Sequence, residues 1–380
     1  MRKKNKRFSL LLFIPMVVAL LFSSCHVARF VIYNFADIRD YKKFPKIRIP
    51  KADVPFIFYT PAKNEQVKLP KDITIKGRKY NFDELLDKTK TVAFVVIRND
   101  SVLYKNYLRG YDEASVVPSF SVAKSFVSLL VGIAIDEGAI GSVNDPVTKY
   151  LPELRNGFEK VTIRHLLDMQ SGIRFNEGYI NPFGDVAKYY YGTNLRKYVK
   201  KMKVAKDPGE VFEYKSGNPQ LLGMIVERAV HKNLADYMEE KVWKYIGSEH
   251  DASWCVDSKR HKEIKAFCCF NATTMDFAKI GRLYLNKGNW NGRQIVSKSW
   301  VEQSLDMADH KNYGIYSYQW WHTVDNIDGK RTPSGDFFAE GILGQFVYVY
   351  PQKKVIIIRL GKKDGINDWA YVMKEIARAN

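Results

Sequence analysis

Two β-hairpin signatures stand at opposite ends of a long helical middle, and that layout constrains the fold of this chain more than any other feature. In the first, the β-rich run Val92, Ala93, Phe94, Val95, Val96, Ile97 turns at Asn99-Asp100 into Val102, Leu103, Tyr104 and Tyr107. The second runs from Phe346 to Tyr350, turns at Pro351 to Lys353, and returns from Val355 to Leu360. Between them the apolar period is helical, as in Phe126, Leu129, Leu130, Ile133 and Ala134, with a stop near Gly138. A lone hairpin is marginal in water. The two must therefore pair into one antiparallel sheet, giving an α+β protein with helices on the faces of the sheet and a second, mainly helical lobe.

The composition can fill such a core. At 46% apolar and 27% charged residues, the chain is neither disordered nor a multi-span membrane protein. Arg2, Lys3, Lys4, Lys6 and Arg7 precede an apolar run from Phe8 to Phe22, with no acid before Asp37. The run falls short of the roughly 20 residues that span a bilayer, and the five cations at its start argue against a core helix, so it reads as an export signal over residues 1–24. It ends in Ser23-Ser24-Cys25, which resembles a bacterial lipoprotein cleavage site with Cys25 as the lipid-bearing residue; Phe22 stands where such sites carry Leu, which leaves an uncleaved signal anchor as the other reading. Either one places the body outside the cytoplasm, at the cell envelope. Residues 25–80, broken by Pro45, Pro50, Pro55, Pro61 and Pro70, read as an irregular arm wrapping a domain over 81–380.

The net charge is +19 and stays strongly basic without the five N-terminal cations. No basic stripe with interleaved aromatics accompanies it, so a solvated basic surface is preferred to nucleic-acid binding. Four cysteines are too few for a disulfide scaffold. Cys255, Cys268 and Cys269 match no zinc spacing with His250 and His261, and sequence neighbours rarely bridge, so all three read as buried thiols.

The segment Pro118-Ser119-Phe120-Ser121-Val122-Ala123-Lys124 enters the helix described above. A spacing of three puts Lys124 one turn from Ser121 on the same face, where its amine can act as a base for the hydroxyl. The positive helix end and desolvation both disfavour the ammonium form, and the same helix start offers free N–H groups to an oxyanion. The rival reading is an N-cap serine followed by an exposed lysine. Further on, Asp207-Pro208-Gly209 leads into Tyr214-Lys215-Ser216, where a tyrosine near a lysine can relay a proton to a leaving group. Packed tyrosines with a hydroxyl at the rim are also common.

Together these residues resemble the serine β-lactamase and penicillin-recognising family, in particular its class C branch and the related 6-aminohexanoate-dimer hydrolases. Ser121-Val122-Ala123-Lys124 resembles the S-x-x-K motif and Tyr214-Lys215-Ser216 the Tyr-x-Asn/Ser motif. Ala339-Glu340-Gly341-Ile342-Leu343-Gly344-Gln345 stands in the place of the Lys-Thr-Gly strand. Leu166 to Gly172 and Phe277 to Leu283 match as well. The resemblance implies a β-lactamase/transpeptidase-like fold, with Ser121 as acylated nucleophile, Lys124 as general base and Tyr214 as proton relay. It implies an oxyanion hole of the Ser121 and Ile342 backbone N–H groups, and substrate contacts at Ser216 and Gly341.

Two departures bear on substrate. The strand lacks the lysine that binds a β-lactam carboxylate, and Glu340 would repel that carboxylate if it faced the cleft. No histidine near Gly361 to Asp364 matches the one the dimer hydrolases carry. An α/β-hydrolase is excluded because no serine has glycine two positions away on both sides. The seven histidines are scattered without ligand spacing. The expectation is a serine hydrolase without metal or cofactor, cleaving an amide or ester of a small or peptide-like substrate; the rival is a catalytically silent, penicillin-binding-like sensor.

Overall fold

The computed structural model describes residues 25–62, 69–75, 77–155, 157–307 and 315–380. The export-signal expectation for residues 1–24 lies outside them, as does the side chain of Cys25, whose backbone opens helix α1 (Cys25–Tyr33).

Both hairpins form, and they pair. Strands β1 (Thr91–Arg98) and β2 (Ser101–Tyr107) turn at Asn99 and Asp100, with φ of 49° and 61°, the left-handed pair that a two-residue hairpin turn requires. Strands β3 (Tyr316–Ser317), β4 (Trp320–Trp321), β5 (Phe337–Gly341), β6 (Gln345–Tyr350) and β7 (Val355–Gly361) complete an antiparallel sheet in the order β3-β4-β5-β6-β7-β1-β2. The last strand thus pairs with the first, in a register that sets Ile357 opposite Val96 and Ile358 opposite Val95.

Alternation along these strands serves two cores. On one face Val95, Ile97, Val347, Val349, Ile356 and Ile358 pack in the main core with helices α2 (Ala123–Asp136), α4 (Gly217–Val230) and α5 (Thr274–Leu285). On the other face Phe94, Val96, Tyr348 and Ile357 meet Trp369, Met373 and Ile376 of α6 (Trp369–Ala379). The middle of the chain supplies the helical lobe, including α3 (Asp185–Tyr191).

The arm is more regular than its prolines suggest. Lys46–Ile49 pairs with Ala252–Cys255 at the edge of a second antiparallel sheet, continued by Phe270–Ala272 and Val117–Pro118. Asp72–Ile75 and Arg78–Asn81 form a hairpin whose Ile73 and Ile75 join the α6 core. Pro45 and Pro50 fall just outside Lys46–Ile49, where the missing N–H disrupts no ladder. No described helix is long and apolar enough to cross a membrane.

Candidate active site

The second sheet clamps the loop that carries Ser121. Val117–Pro118 pairs with Asn271–Ala272, and the Ser119 amide donates to the Phe270 carbonyl at 2.7 Å. Phe120 then takes a φ of 46°, a strained conformation for an aromatic residue, held by the burial of its ring. This turn presents Ser121 in a short 3-10 segment (Phe120–Val122) that leads straight into α2.

Lys124, one turn on, is buried, with its Nζ 2.6 Å from Ser121 Oγ and 2.9 Å from the Phe267 carbonyl oxygen. Desolvation lowers its pKa to about 7, and the Glu177 carboxylate opposes that shift. The alternative of an N-cap serine with an exposed lysine is therefore set aside: the amine is inside, and Ser121 caps no helix.

Tyr214 joins them from its loop. The turn at Asp168 to Gln170 anchors that loop: the Met169 carbonyl accepts from the Glu213 amide at 2.9 Å and the Gln170 carbonyl from the Gly209 amide at 2.8 Å. The Tyr214 hydroxyl is hydrogen-bonded with Ser121, its ring lies 5.0 Å from Lys124 Nζ, and it stacks on Trp321 with centroids 5.5 Å apart. Burial pushes its pKa well above the ordinary tyrosine range. At neutral pH the site therefore holds a protonated phenol beside an amine that readily loses its proton. The amine is the better base and the phenol the better proton donor.

Ser216 is also at the site, but its partner is one that sequence reasoning missed. Glu177 accepts from both the Ser216 amide, at 2.7 Å, and its hydroxyl, at 2.6 Å. Lys215 is turned away, with its Nζ donating to the Ile173 carbonyl and to Glu213.

Strand β5 forms the opposite wall. Gly341 lies so close to the serine loop that a Cβ on it would fall 2.4 Å from the Ser119 carbonyl oxygen and 3.1 Å from the Ser121 amide nitrogen. Ile342 follows, facing the same cavity as Ser121. Buried Gln345 holds this corner by donating to the Ile342 and Gly361 carbonyls and accepting from the Gly361 amide. Arg359, also buried, donates to the Gly344 carbonyl beneath the turn. Neither residue carries a motif that would have drawn attention. Glu340 is half-buried, and desolvation raises its carboxyl pKa to about 7, with Asp364 adding to the shift.

Gly341→Ala should lower kcat/KM by roughly 10² to 10³, the usual worth of a displaced oxyanion donor. Steady-state kinetics with a melting curve on the same sample checks this.

The expectation of three free thiols is corrected. Cys268 and Cys269 are joined in a disulfide, leaving Cys255 as a buried free thiol. Cys269 adopts a φ of 71°, in the left-handed region, and this turn brings the neighbouring side chains together. Among the described residues no cluster of His, Cys, Asp or Glu is placed to hold a metal ion. His165 instead completes a capping box with Thr162.

Ser121, Ser216, Ile342 and Cys268 share a cavity of about 280 Å³. A larger cleft of about 630 Å³, lined by Arg174, Lys188, Lys197 and Lys201 among others, contains none of these groups. The candidate catalytic groups lie at the smaller one.

Residues 80–377 match the Beta-lactamase family, and the chain belongs to that family. Within it this is a serine hydrolase. A 6-aminohexanoate-dimer hydrolase of Paenarthrobacter ureafaciens is 28% identical over 303 residues, covering 74% of each chain. The solved structure of a putative 6-aminohexanoate-dimer hydrolase from Bacillus anthracis superposes with a TM-score of 0.76 at 26% identity, over 90% of this chain and 92% of that one. A class C β-lactamase shares the fold at a TM-score of 0.59 and 16% identity, over 78% of this chain and 93% of its own.

Proposed function

We propose that the protein hydrolyses an amide or ester of a small or peptide-like substrate through a covalent acyl-enzyme on Ser121. The observation that carries this reading is the 2.6 Å approach of a desolvated Lys124 amine to Ser121 Oγ. Lys124 takes the hydroxyl proton as Oγ attacks the substrate carbonyl, and the Ser121 and Ile342 amides stabilise the resulting oxyanion. Tyr214 passes its proton to the departing amine or alkoxide as the C–N or C–O bond breaks, and Lys124 returns the serine proton to Tyr214, which leaves the amine free once more. Water then attacks the acyl ester with Lys124 again as base, releasing the acid and restoring Ser121.

The substrate class follows from what the cavity lacks. No lysine or arginine is among its described lining residues, and Lys215 is tied to Glu213. Arg331 is exposed on a separate hairpin, Val324–Ile327 with Lys330–Pro333. A charge-assisted contact to a substrate carboxylate contributes about 1.5 to 3 kcal/mol, or roughly 10- to 150-fold in binding. Substrates that need it are disfavoured, whereas simple esters and linear amides need only the groups named above. Measurable cleavage of p-nitrophenyl acetate and butyrate is expected, with much slower turnover of nitrocefin. A higher kcat/KM for nitrocefin would contradict this reading.

The N-terminal sequence supports export and anchoring at the bacterial cell envelope, by lipid on Cys25 or by an uncleaved signal. The protein should partition with membranes, and Cys25→Ser should release or mislocalise it if lipid is attached there. Intact mass together with fractionation of cells reads this out, and unchanged mass and partitioning in the variant favour the signal anchor.

A further inference from the structure

We propose that the cavity beside Ser121 is an acyl-chain pocket, so that the preferred substrates are esters or amides of medium-length, uncharged aliphatic acids. This rests on the hydrolase reading above and adds the identity of the acyl group.

Phe35, Val186, Phe267, Ile342 and Leu343 contribute apolar surface. The polar side chains of the lining are engaged with the protein rather than with the cavity. The Ser216 and Tyr179 hydroxyls both donate to Glu177, at 2.6 and 2.9 Å. Tyr190 donates to Asp40 at 2.7 Å, and Tyr191 donates to the Asn34 carbonyl at 2.6 Å. An occupant thus meets the nucleophile at one end and little else that could hydrogen-bond. A polar acyl group would be stripped of water there without compensation, while a hydrocarbon gains from leaving water.

Tyr214, placed to protonate the leaving group, does not line the cavity and stacks instead on Trp321. The leaving group therefore departs on the Tyr214 and Trp321 side, and the acyl portion of the substrate is the part that enters the cavity. Its volume of about 280 Å³ accommodates roughly nine groups of water or methylene size, at ~30 Å³ each.

Phe35 and Tyr179, which line the cavity, are themselves exposed, and Ile180 and Phe183 on the same loop are 79% and 67% exposed. The entrance is apolar from the outside inward, and Phe35 and Ala36 come from the segment that follows α1. That segment, expected from sequence to be an irregular arm wrapping the domain, is part of the pocket.

The test is a series of p-nitrophenyl esters from acetate to octanoate on the full chain, run beside fluorophosphonate labelling. Each methylene buried should raise kcat/KM about three- to fourfold, giving roughly a 100-fold rise or more from acetate to hexanoate. In Ala187→Phe, and independently in Ala36→Phe, each of which puts a ring into the pocket, the ratio of octanoate to acetate kcat/KM should fall at least tenfold. A flat or falling series in wild-type protein that labels on Ser121 overturns the acyl-chain inference and leaves the hydrolase reading standing. No labelling and no turnover of any ester overturns both.

Discussion

Ser121→Ala should lose about 10⁴ to 10⁶ in turnover, the usual consequence of removing the nucleophile of a serine hydrolase. Folding should be nearly unaffected, because the hydroxyl caps no helix and its partners are Lys124 and Tyr214 rather than a structural backbone group. Coincident melting curves with activity lost at every ester is the expected pair of results. Residual activity within tenfold of wild type would contradict the assignment. Elsewhere Lys374 approaches Ser334 at 3.2 Å, but its amine is ion-paired to Asp325 at 2.9 Å and so is poorly placed to act as a base.

Lys124→Met should be equally silent in acylation while preserving the length and apolar contacts of the side chain. The pH–rate profile separates a base from a merely structural lysine, and the pH dependence of stability reports the lowered pKa itself. Wild-type kcat/KM should rise with pH through about 7, where the amine becomes neutral, and level off above it. Stability should respond in linked fashion. The folded-state pKa lies below the unfolded value of 10.5, so between about 7 and 10.5 the unfolded chain binds the proton more readily and wild-type stability rises with pH. The stability of Lys124→Met relative to wild type should therefore grow as pH falls from 10.5 to 7 and stay constant below 7. Wild-type rates of covalent labelling in this variant would require another base.

The parts of this protein that were legible from sequence are those with a strong local signal. The continuous β-rich apolar runs of Val92 to Ile97 and of Val355 to Leu360, with turn residues suited to φ > 0 at Asn99 and Asp100, are enough to place two hairpins and to require that they pair. Ser121 and Lys124 are legible because helical spacing alone puts them on one face. Tyr214 is different: among 23 tyrosines nothing local marks it, and only its resemblance to a motif brings it to the site. The contacts that were not legible join distant stretches through groups with no pattern of their own. The carbonyl that steadies Lys124 belongs to Phe267, 143 residues away, and Glu177 reaches Ser216 across 39 residues. A backbone carbonyl has no sequence signature, and a lone glutamate reads as surface. The Cys268–Cys269 bridge escaped for a related reason, since the left-handed φ that permits it is not written in the residue types.

The central claim is that Ser121 becomes acylated with Lys124 as its base, and covalent capture tests it most directly. Full-length protein incubated with a fluorophosphonate, digested and mapped by mass should carry a single adduct on Ser121, absent from Ser121→Ala and lost or strongly slowed in Lys124→Met. An adduct on any other residue, or a protein that stays unlabelled while correctly folded, would contradict the account.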